Sequence, residues 1–322
     1  MLISVVIPTH DRHRLLGEAI ASVESQSHKE WELIVVDDAS TPDVVLHERD
    51  SSGANMVRLL RNPEALGPSG ARSAGMQVAT GDVVMFLDDD DLLANNALES
   101  VAKAFGGRED LDCLFINVDP FGEEAEGTRE NQAKALGKIL GQLGLESRTT
   151  TGLLALPDNL FEVLLDGVPM AFQRVAMRRA ALSKVGKFTG RGFEDIEFYY
   201  RIALRCRCAL LVDAVHRLRC HGQSYFSRID AKADLIDATI RIRENLLMLP
   251  DVSVSSDKRR HVSRALADAR FNKAYFAYET GKEFPWKNYL ESCAMGVTWP
   301  HLSMLIKALP RLVSRGKAVG RH

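Results

Sequence analysis

Up to about residue 220 the chain alternates short apolar runs with amphipathic stretches, and the apolar runs close on polar or acidic clusters. Ile3 to Ile7 is β-branched and stops at Pro8, which predicts a first strand. Leu15 to Val23 carries apolar residues at helical spacing. "WELIVVDDAS" predicts a second strand ending on Asp37 and Asp38, and Met56 to Leu60 a third. The glycines and proline of "NPEALGPSGARSAG" lead into a helix through Arg72 and Met76. Val83 to Leu87 predicts a fourth strand, Asn95 to Phe105 a helix, and Cys113 to Val118 a fifth strand.

Alternating strands and helices with short polar junctions predict an α/β fold, with a mostly parallel central sheet flanked by helices. Its strands are continuous apolar runs because both faces are covered. Ligands in such sheets bind beyond the carboxyl ends of the strands. Those ends carry Thr9, His10 and Asp11, then Asp37 and Asp38, then Asp88 to Asp91. Asp119 to Asp166 is less regular and reads as a long insertion or acceptor-side region, partly helical. The pattern resumes with Met170 to Val175 extended and a short helix from Arg178 to Lys184 that ends at Gly186. "EDIEFYYRIALRC" predicts a stronger helix, with Ile196, Tyr199, Tyr200 and Ala203 on its apolar stripe, and Leu210 to Val215 a further strand. From Ala231 the chain becomes helical, broken at Pro250 to Ser256, with a third short helix from Trp286 to Met295. The expected organisation is a catalytic domain over 1–225, split into a nucleotide-binding half (1–118) and an acceptor-side half (119–225). A helical C-terminal region follows over 226–322.

Composition narrows the function. Of 322 residues, 41 are Lys or Arg and 43 Asp or Glu, for a net charge of -2, so no global basic field points to nucleic acid. The five cysteines, Cys113, Cys206, Cys208, Cys220 and Cys293, suit a reducing compartment, and with His221 they do not match a structural zinc spacing. The first residues read as a buried strand and not a signal peptide. No run approaches the ~20 apolar residues of a membrane span. No G-x-G-x-x-G follows the first strand and no G-K-[ST] occurs, which argues against a dinucleotide fold or a P-loop. After Glu291 there is no acid, while Lys307, Arg311, Arg315, Lys317 and Arg321 add positive charge. This end is a candidate contact for an anionic membrane face, or a solvated terminus.

The chemistry concentrates in "VVMFLDDDDLLANN". Four adjacent carboxylates repel one another unless something offsets them. Capping of the following helix by Asp91 or a neighbour explains one or two of them. The other reading is a divalent cation, since carboxylate oxygens are hard ligands for Mg2+ or Mn2+ and the cation would neutralise a diphosphate leaving group.

The pieces "SVVIPTHDR", "ELIVVDDAST", "RNPEALGPSGARSAG", "GDVVMFLDDDD", "PMAFQRVAMRR" with "VGKF", and "GFEDIEFYYRI", in this order and spacing, closely resemble glycosyltransferase family 2. The resemblance runs from about Leu2 to Ser224. It implies the GT-A nucleotide-diphospho-sugar transferase fold and metal-dependent, inverting transfer of a sugar, usually from a UDP-sugar. By position, Pro8, Thr9 and Asp11 would line the nucleotide pocket. Asp38 would accept a hydrogen bond from the base, and Arg72 would lie near the donor to pair with Asp38 or phosphate. In the D-x-D motif Asp90 would hold Mg2+ or Mn2+, with Asp88 nearer ribose and sugar and Asp89 between them. Asp195 would be the catalytic base, with Glu194 orienting the acceptor or the helix start. Plain helix capping is the competing role for this pair. Some relatives place a histidine near His221 on the metal or phosphate, against a structural histidine. The expected function is an inverting glycosyltransferase acting on a glycan or lipid-linked saccharide at the cytoplasmic side of the cell envelope. A sugar-phosphate nucleotidyltransferase shares the fold but normally has a glycine-rich basic loop after the first strand, absent from "IPTHDRHRLL". A non-catalytic nucleotide-sugar or glycan-binding module would not need Asp195.

Overall fold

Ile3–Thr9 (β1) and Trp31–Asp37 (β2) are buried at every position, as strands covered on both faces must be. They pair in parallel, joined by the helix His13–Glu24 (α1). Met56–Arg61 (β3) extends this side, pairing in parallel with β2. The chain then crosses through Gly67–Val78 (α2) to Val83–Phe86 (β4), which pairs in parallel with the other edge of β1. The strand order therefore reverses at β1, and a crevice opens beyond its carboxyl end. Gly75 of α2 lies so close to β1 that a Cβ there would overlap Val6 Cγ1.

The remaining elements of this part are Leu92–Leu93 (β5), Ala97–Phe105 (α3), Cys113–Gly122 (β6), Ala125–Gln142 (α4), Leu153–Ala155 (β7), Leu160–Leu165 (α5), Val175–Arg178 (β8), Leu182–Val185 (α6), Glu194–Arg205 (α7) and Cys208–Cys220 (β9). The sheet runs β3-β2-β1-β4-β8-β6-β9-β5, with β7 on β9. It is mixed. The parallel arrangement holds for β1 to β4 and for β6 with β9, whereas β8 is antiparallel to β4 and β6, and β5 and β7 are antiparallel to β9.

Two segments are more regular than their sequence suggests. Residues 125–142 form one helix, although Gly127, Gly137 and Gly141 and a weak apolar stripe hide it. Ion pairs of Arg129 with Glu126 and Lys134 with Glu130 line its exposed side. β9 continues to Cys220 because β6 supplies a partner as far as Gly122.

The structure, a computed structural model, describes residues 1–46, 55–145, 152–166, 174–189, 193–220, 231–253 and 255–307. The chain divides into two units, Met1–Ser224 and Tyr225–His322. In the second, Ala231–Met248 (α8), Pro250–Ser253 (α9), Ser256–Glu279 (α10) and Trp286–Ser292 (α11) are followed by helical residues at 299–307. Ile240, Leu266 and Ala269 form one small core there, and Ala274, Tyr289 and Met304 another. Among the described residues no helix is long and apolar enough to cross a membrane.

Candidate active site

The four adjacent aspartates form a tight turn between β4 and β5, closed by the Asp91 N–H donating to the Asp88 carbonyl at 3.1 Å. The turn stands at the crevice where the strand order reverses, beside the ends of β1 and β2. Thr9 Oγ1 donates to Asp89 at 2.8 Å and so ties β1 to this turn. Pro8 is buried inside β1. The Asp11 carboxylate accepts from the Thr41 N–H at 2.7 Å, and its backbone N–H donates to Ser40 Oγ at 3.0 Å. Asp11 and Ala39 both have positive φ, 55° and 62°, a conformation that non-glycine residues adopt at an energetic cost and that clusters at functional loops.

Arginines answer the repulsion among the aspartates. Asp88 accepts from Arg72 Nη2 at 2.7 Å and pairs with Arg174 Nη2 at 3.0 Å. Burial pushes the Asp88 carboxyl up, but Arg174 and Arg72 outweigh it and hold the group well below the usual carboxylate range. Asp91 is 1% exposed and takes Arg174 Nη2 at 2.8 Å, His216 Nε2 at 2.8 Å and the Arg219 N–H at 2.9 Å. Its carboxyl is also held low, because Arg174 and His216 outweigh burial. Asp89 and Asp90 share Arg12 Nη1, at 3.0 and 2.8 Å. Asp89 is the exception: burial, helped by the neighbouring Asp90 charge, pushes it up to about 6 despite Thr9 and Arg12. Arg219 Nε donates to the Asp90 carbonyl at 2.7 Å and its Nη2 reaches Glu18 at 2.6 Å.

This arrangement corrects several sequence-based expectations. Arg72 pairs with Asp88 and not with Asp38. Asp91 does not cap the next helix, for α3 has no side-chain cap of its own; Gln26 Oε1 instead accepts from the Leu98 N–H at 3.0 Å. The crowded carboxylates do not by themselves require a cation, since Arg12, Arg72 and Arg174 already balance most of their charge. The donor set nevertheless suits one. Asp88, Asp90 and Asp91 each offer an oxygen, and these atoms lie within 4.8 Å of one another, all hard ligands of the type Mg2+ and Mn2+ prefer. Asp88 and Asp90 are the partly exposed acids of the run, at 26% and 20%, and the Arg12 side chain opposite Asp90 is itself 45% exposed, so a cation arriving from solvent meets these two first. Asp91 is an addition to the expected ligands Asp88 and Asp90. His221 lies outside the described residues.

Asp38 is 4% exposed, and its carboxylate accepts from Asn62 Nδ2 at 2.6 Å, the Leu66 N–H at 3.0 Å and the Gly67 N–H at 2.7 Å. It thereby fastens the entry to α2, which carries Arg72 into the crevice. α7 is seated by aromatic packing: Phe198 stacks on Phe188 at 3.9 Å, and Phe86 of β4 meets Phe188 edge-on at 5.2 Å. Asp195, at the first turn of α7, accepts from the Ile196 N–H at 3.0 Å, so part of its role is local. Its charge also reaches the site, helping to keep Arg72 protonated and, after burial, helping to push the Tyr199 hydroxyl far above its ordinary pKa. The helix opens from Phe193 at φ 57°, again left-handed for a non-glycine residue. Glu194 begins α7.

Arg12, Arg174, His216 and Arg219 belong to this site and escape the sequence reading, which singles out Asp91 only as a strand-end acid or helix cap. One signal was available: Arg174 interrupts the apolar "AFQRVAM", and an arginine inside a buried run demands a partner.

The sequence profile of glycosyl transferase family 2 matches residues 4–165, half of the chain, and the chain belongs to that family. A GalNAc(5)-diNAcBac-PP-undecaprenol beta-1,3-glucosyltransferase of Campylobacter jejuni is 37% identical over 135 residues, 39% of this chain and 42% of that protein. A UDP-Glc:alpha-D-GlcNAc-diphosphoundecaprenol beta-1,3-glucosyltransferase of Escherichia coli is 34% identical over 98 residues, 30% of this chain and 38% of its own length. The chain thus spans about two fifths of these curated relatives. The crystal structure of Staphylococcus aureus TarS 1-349 in complex with UDP-GlcNAc superposes with a TM-score of 0.55 at 16% identity, covering 91% of each chain. The fold is GT-A, with a central mixed sheet flanked by helices.

Proposed function

We propose that the protein transfers a sugar from a nucleotide-diphosphate donor, a UDP-sugar first among them, to a hydroxyl of a glycan or lipid-linked saccharide, with inversion at the anomeric carbon. The observation that carries this reading is the setting of Asp88. It stands at the switch point of the sheet between Arg72 and Arg174, and the Asp195 charge, at the start of α7, bears on the same Arg72. Guanidinium groups that can meet an anionic leaving group, with a second carboxylate within electrostatic reach, suit a nucleophile that must lose a proton. The two undecaprenyl-diphosphate glucosyltransferases named above, and the UDP-GlcNAc complex of a similarly folded protein, support the same donor and acceptor classes. The cytoplasmic side of the envelope as the place of action is part of the same proposal.

In this reading Pro8, Thr9 and Asp11 line the nucleotide pocket. Asp38 accepts the base N–H with acceptor capacity left beside its three protein donors, since a carboxylate offers about four lone-pair sites. Bound by Asp88 and Asp90, with Asp91 behind them, Mg2+ or Mn2+ would offset the charge of the departing diphosphate. Arg72, planar and permanently charged, turns from Asp88 to phosphate as the donor enters. Asp89 keeps Arg12 and Thr9 in register. Asp195 takes the proton from the acceptor hydroxyl while the acceptor's oxygen bonds to the anomeric carbon and the bond from that carbon to the diphosphate breaks, and Glu194 orients the acceptor. Asp195→Asn tests this. Donor affinity stays near wild type, and single-turnover transfer with both substrates saturating falls by ~10²-fold or more. NMR of the product shows the inverted linkage. Near-normal transfer, or a retained configuration, refutes the assignment.

A further inference from the structure

The second unit presents an apolar surface that its own core does not use. Among the described residues, Trp286, Leu290, Val297, Trp299, Leu302 and Ile306 are all exposed, Trp299 at 73% and Ile306 at 65%. Helical residues 299–307 are apolar on two opposite sides. Met304 is buried against Ala274 and Tyr289, and the His301 carbonyl accepts from the Tyr289 hydroxyl at 2.8 Å. At about 100° per residue, Trp299, Leu302 and Ile306 fall within one stripe about 60° wide, opposite His301, Met304 and Leu305. A helix apolar all round is ordinarily enclosed, in a core or in lipid. Here one side is enclosed and the other is bare.

Charge identifies what covers it. Residues 292–322 contain no acid and five Lys or Arg, a local charge of +5 in a chain whose net charge is -2. Trp, Leu and Ile on an exposed stripe, followed at once by Lys307 and further basic residues, make the pattern of a segment lying in a membrane interface: apolar side chains enter the acyl boundary while cations meet anionic headgroups. We propose that Trp299, Leu302 and Ile306 dock the protein on an anionic lipid bilayer, assisted by the basic residues that follow. This does not depend on the glycosyltransferase reading. Together with it, it would hold the chain at the surface where lipid-linked acceptors reside.

The test uses the full chain and vesicles of phosphatidylcholine with about 30% phosphatidylglycerol, compared with phosphatidylcholine alone. The wild type is expected to float with the anionic vesicles, less so as salt rises, and Trp299 fluorescence to shift blue and be quenched by brominated acyl chains. The variant Trp299→Gln/Leu302→Gln/Ile306→Gln changes exposed positions and should keep its circular dichroism. It should bind anionic vesicles at least about tenfold more weakly, given the apolar area lost. Equal vesicle binding by variant and wild type overturns the proposal. So does a wild type that ignores vesicles but self-associates in sedimentation velocity, with the variant monomeric, which would assign the stripe to a second copy of the chain. Loss of vesicle binding with normal sugar transfer in solution supports docking and leaves the catalytic reading intact.

Discussion

Asp91 and Asp90 are neighbours in one acidic run, yet the structure assigns them opposite sensitivities. Asp91 is 1% exposed and holds Arg174, His216 and the Arg219 N–H at 2.8 to 2.9 Å. Asp91→Asn preserves volume but removes the charge and turns an amide N–H2 toward groups that are themselves donors. Breaking a buried ion pair on one side costs about 3–5 kcal/mol. Arg174 keeps Asp88 at 3.0 Å, so the lower end applies, about 3 kcal/mol. With a urea dependence near 3 kcal/mol per M for a chain of this size, the midpoint should fall by about 1 M. The assay is urea unfolding followed by Trp31, the one tryptophan of the first unit and 3% exposed, in a background where Trp286 and Trp299 are phenylalanine. Asp90→Asn breaks a contact with a half-exposed Arg12, a pair of the kind worth at most about 1 kcal/mol, so its midpoint should move by no more than about 0.3 M. Its expected effect is on Mn2+-dependent nucleotide affinity, read by calorimetry. Equal urea midpoints for the two variants would falsify the division of the run into an anchoring and a ligand-facing acid.

Two further predictions concern the sheet that carries the site. Glu32 is buried, and its Oε1 accepts from Ser4 Oγ at 2.6 Å, Thr80 N at 2.6 Å, Thr80 Oγ1 at 2.9 Å and Gly81 N at 3.1 Å, while Oε2 has no partner. Burial pushes this carboxyl up, but those hydrogen bonds outweigh it and hold it below its ordinary value. Its stabilisation is therefore complete above the unfolded pKa of ~4.3 and is lost as pH falls through the lower folded value. Glu32→Gln should cost about 1–2 kcal/mol at pH 7, and the gap from wild type should close below about pH 4; a gap that is constant with pH would show that the charge plays no part. Gly75→Ala should destabilise by about 1–3 kcal/mol, because the added methyl meets Val6 Cγ1 and Val36 Cγ2 in a packed layer, and an unchanged thermal midpoint would contradict that close approach.

Much of the fold over residues 1–118 could be read from the chain. β1, β2 and β4 are buried runs whose own residues declare them, and their acidic ends carry the candidate ligands Asp38, Asp88 and Asp90. Asp195 was legible as a candidate as well, because an acid pair opens an amphipathic helix. The second half was less so. The antiparallel placement of β8 between β4 and β6, the helix α4 behind its glycines, and the extension of β9 to Cys220 depend on partners distant in sequence, which local propensity does not encode.

The sequence by itself determined where carboxylates would gather, because strand ends and turns are local and polarity is written residue by residue. It left undecided what those carboxylates would meet. Arg12 lies 77 positions from Asp89, Arg174 83 from Asp91 and His216 125 from Asp91, and each pairing exists because the sheet brings these strand ends and loops together. Coulomb energy depends on separation in space and on the polarizability of what lies between, not on separation along the chain. Tertiary structure therefore decided that Asp88 and Asp91 are held ionised by buried guanidinium groups, that burial pushes Asp89 up to about 6, and that Asp90 pairs with the half-exposed Arg12.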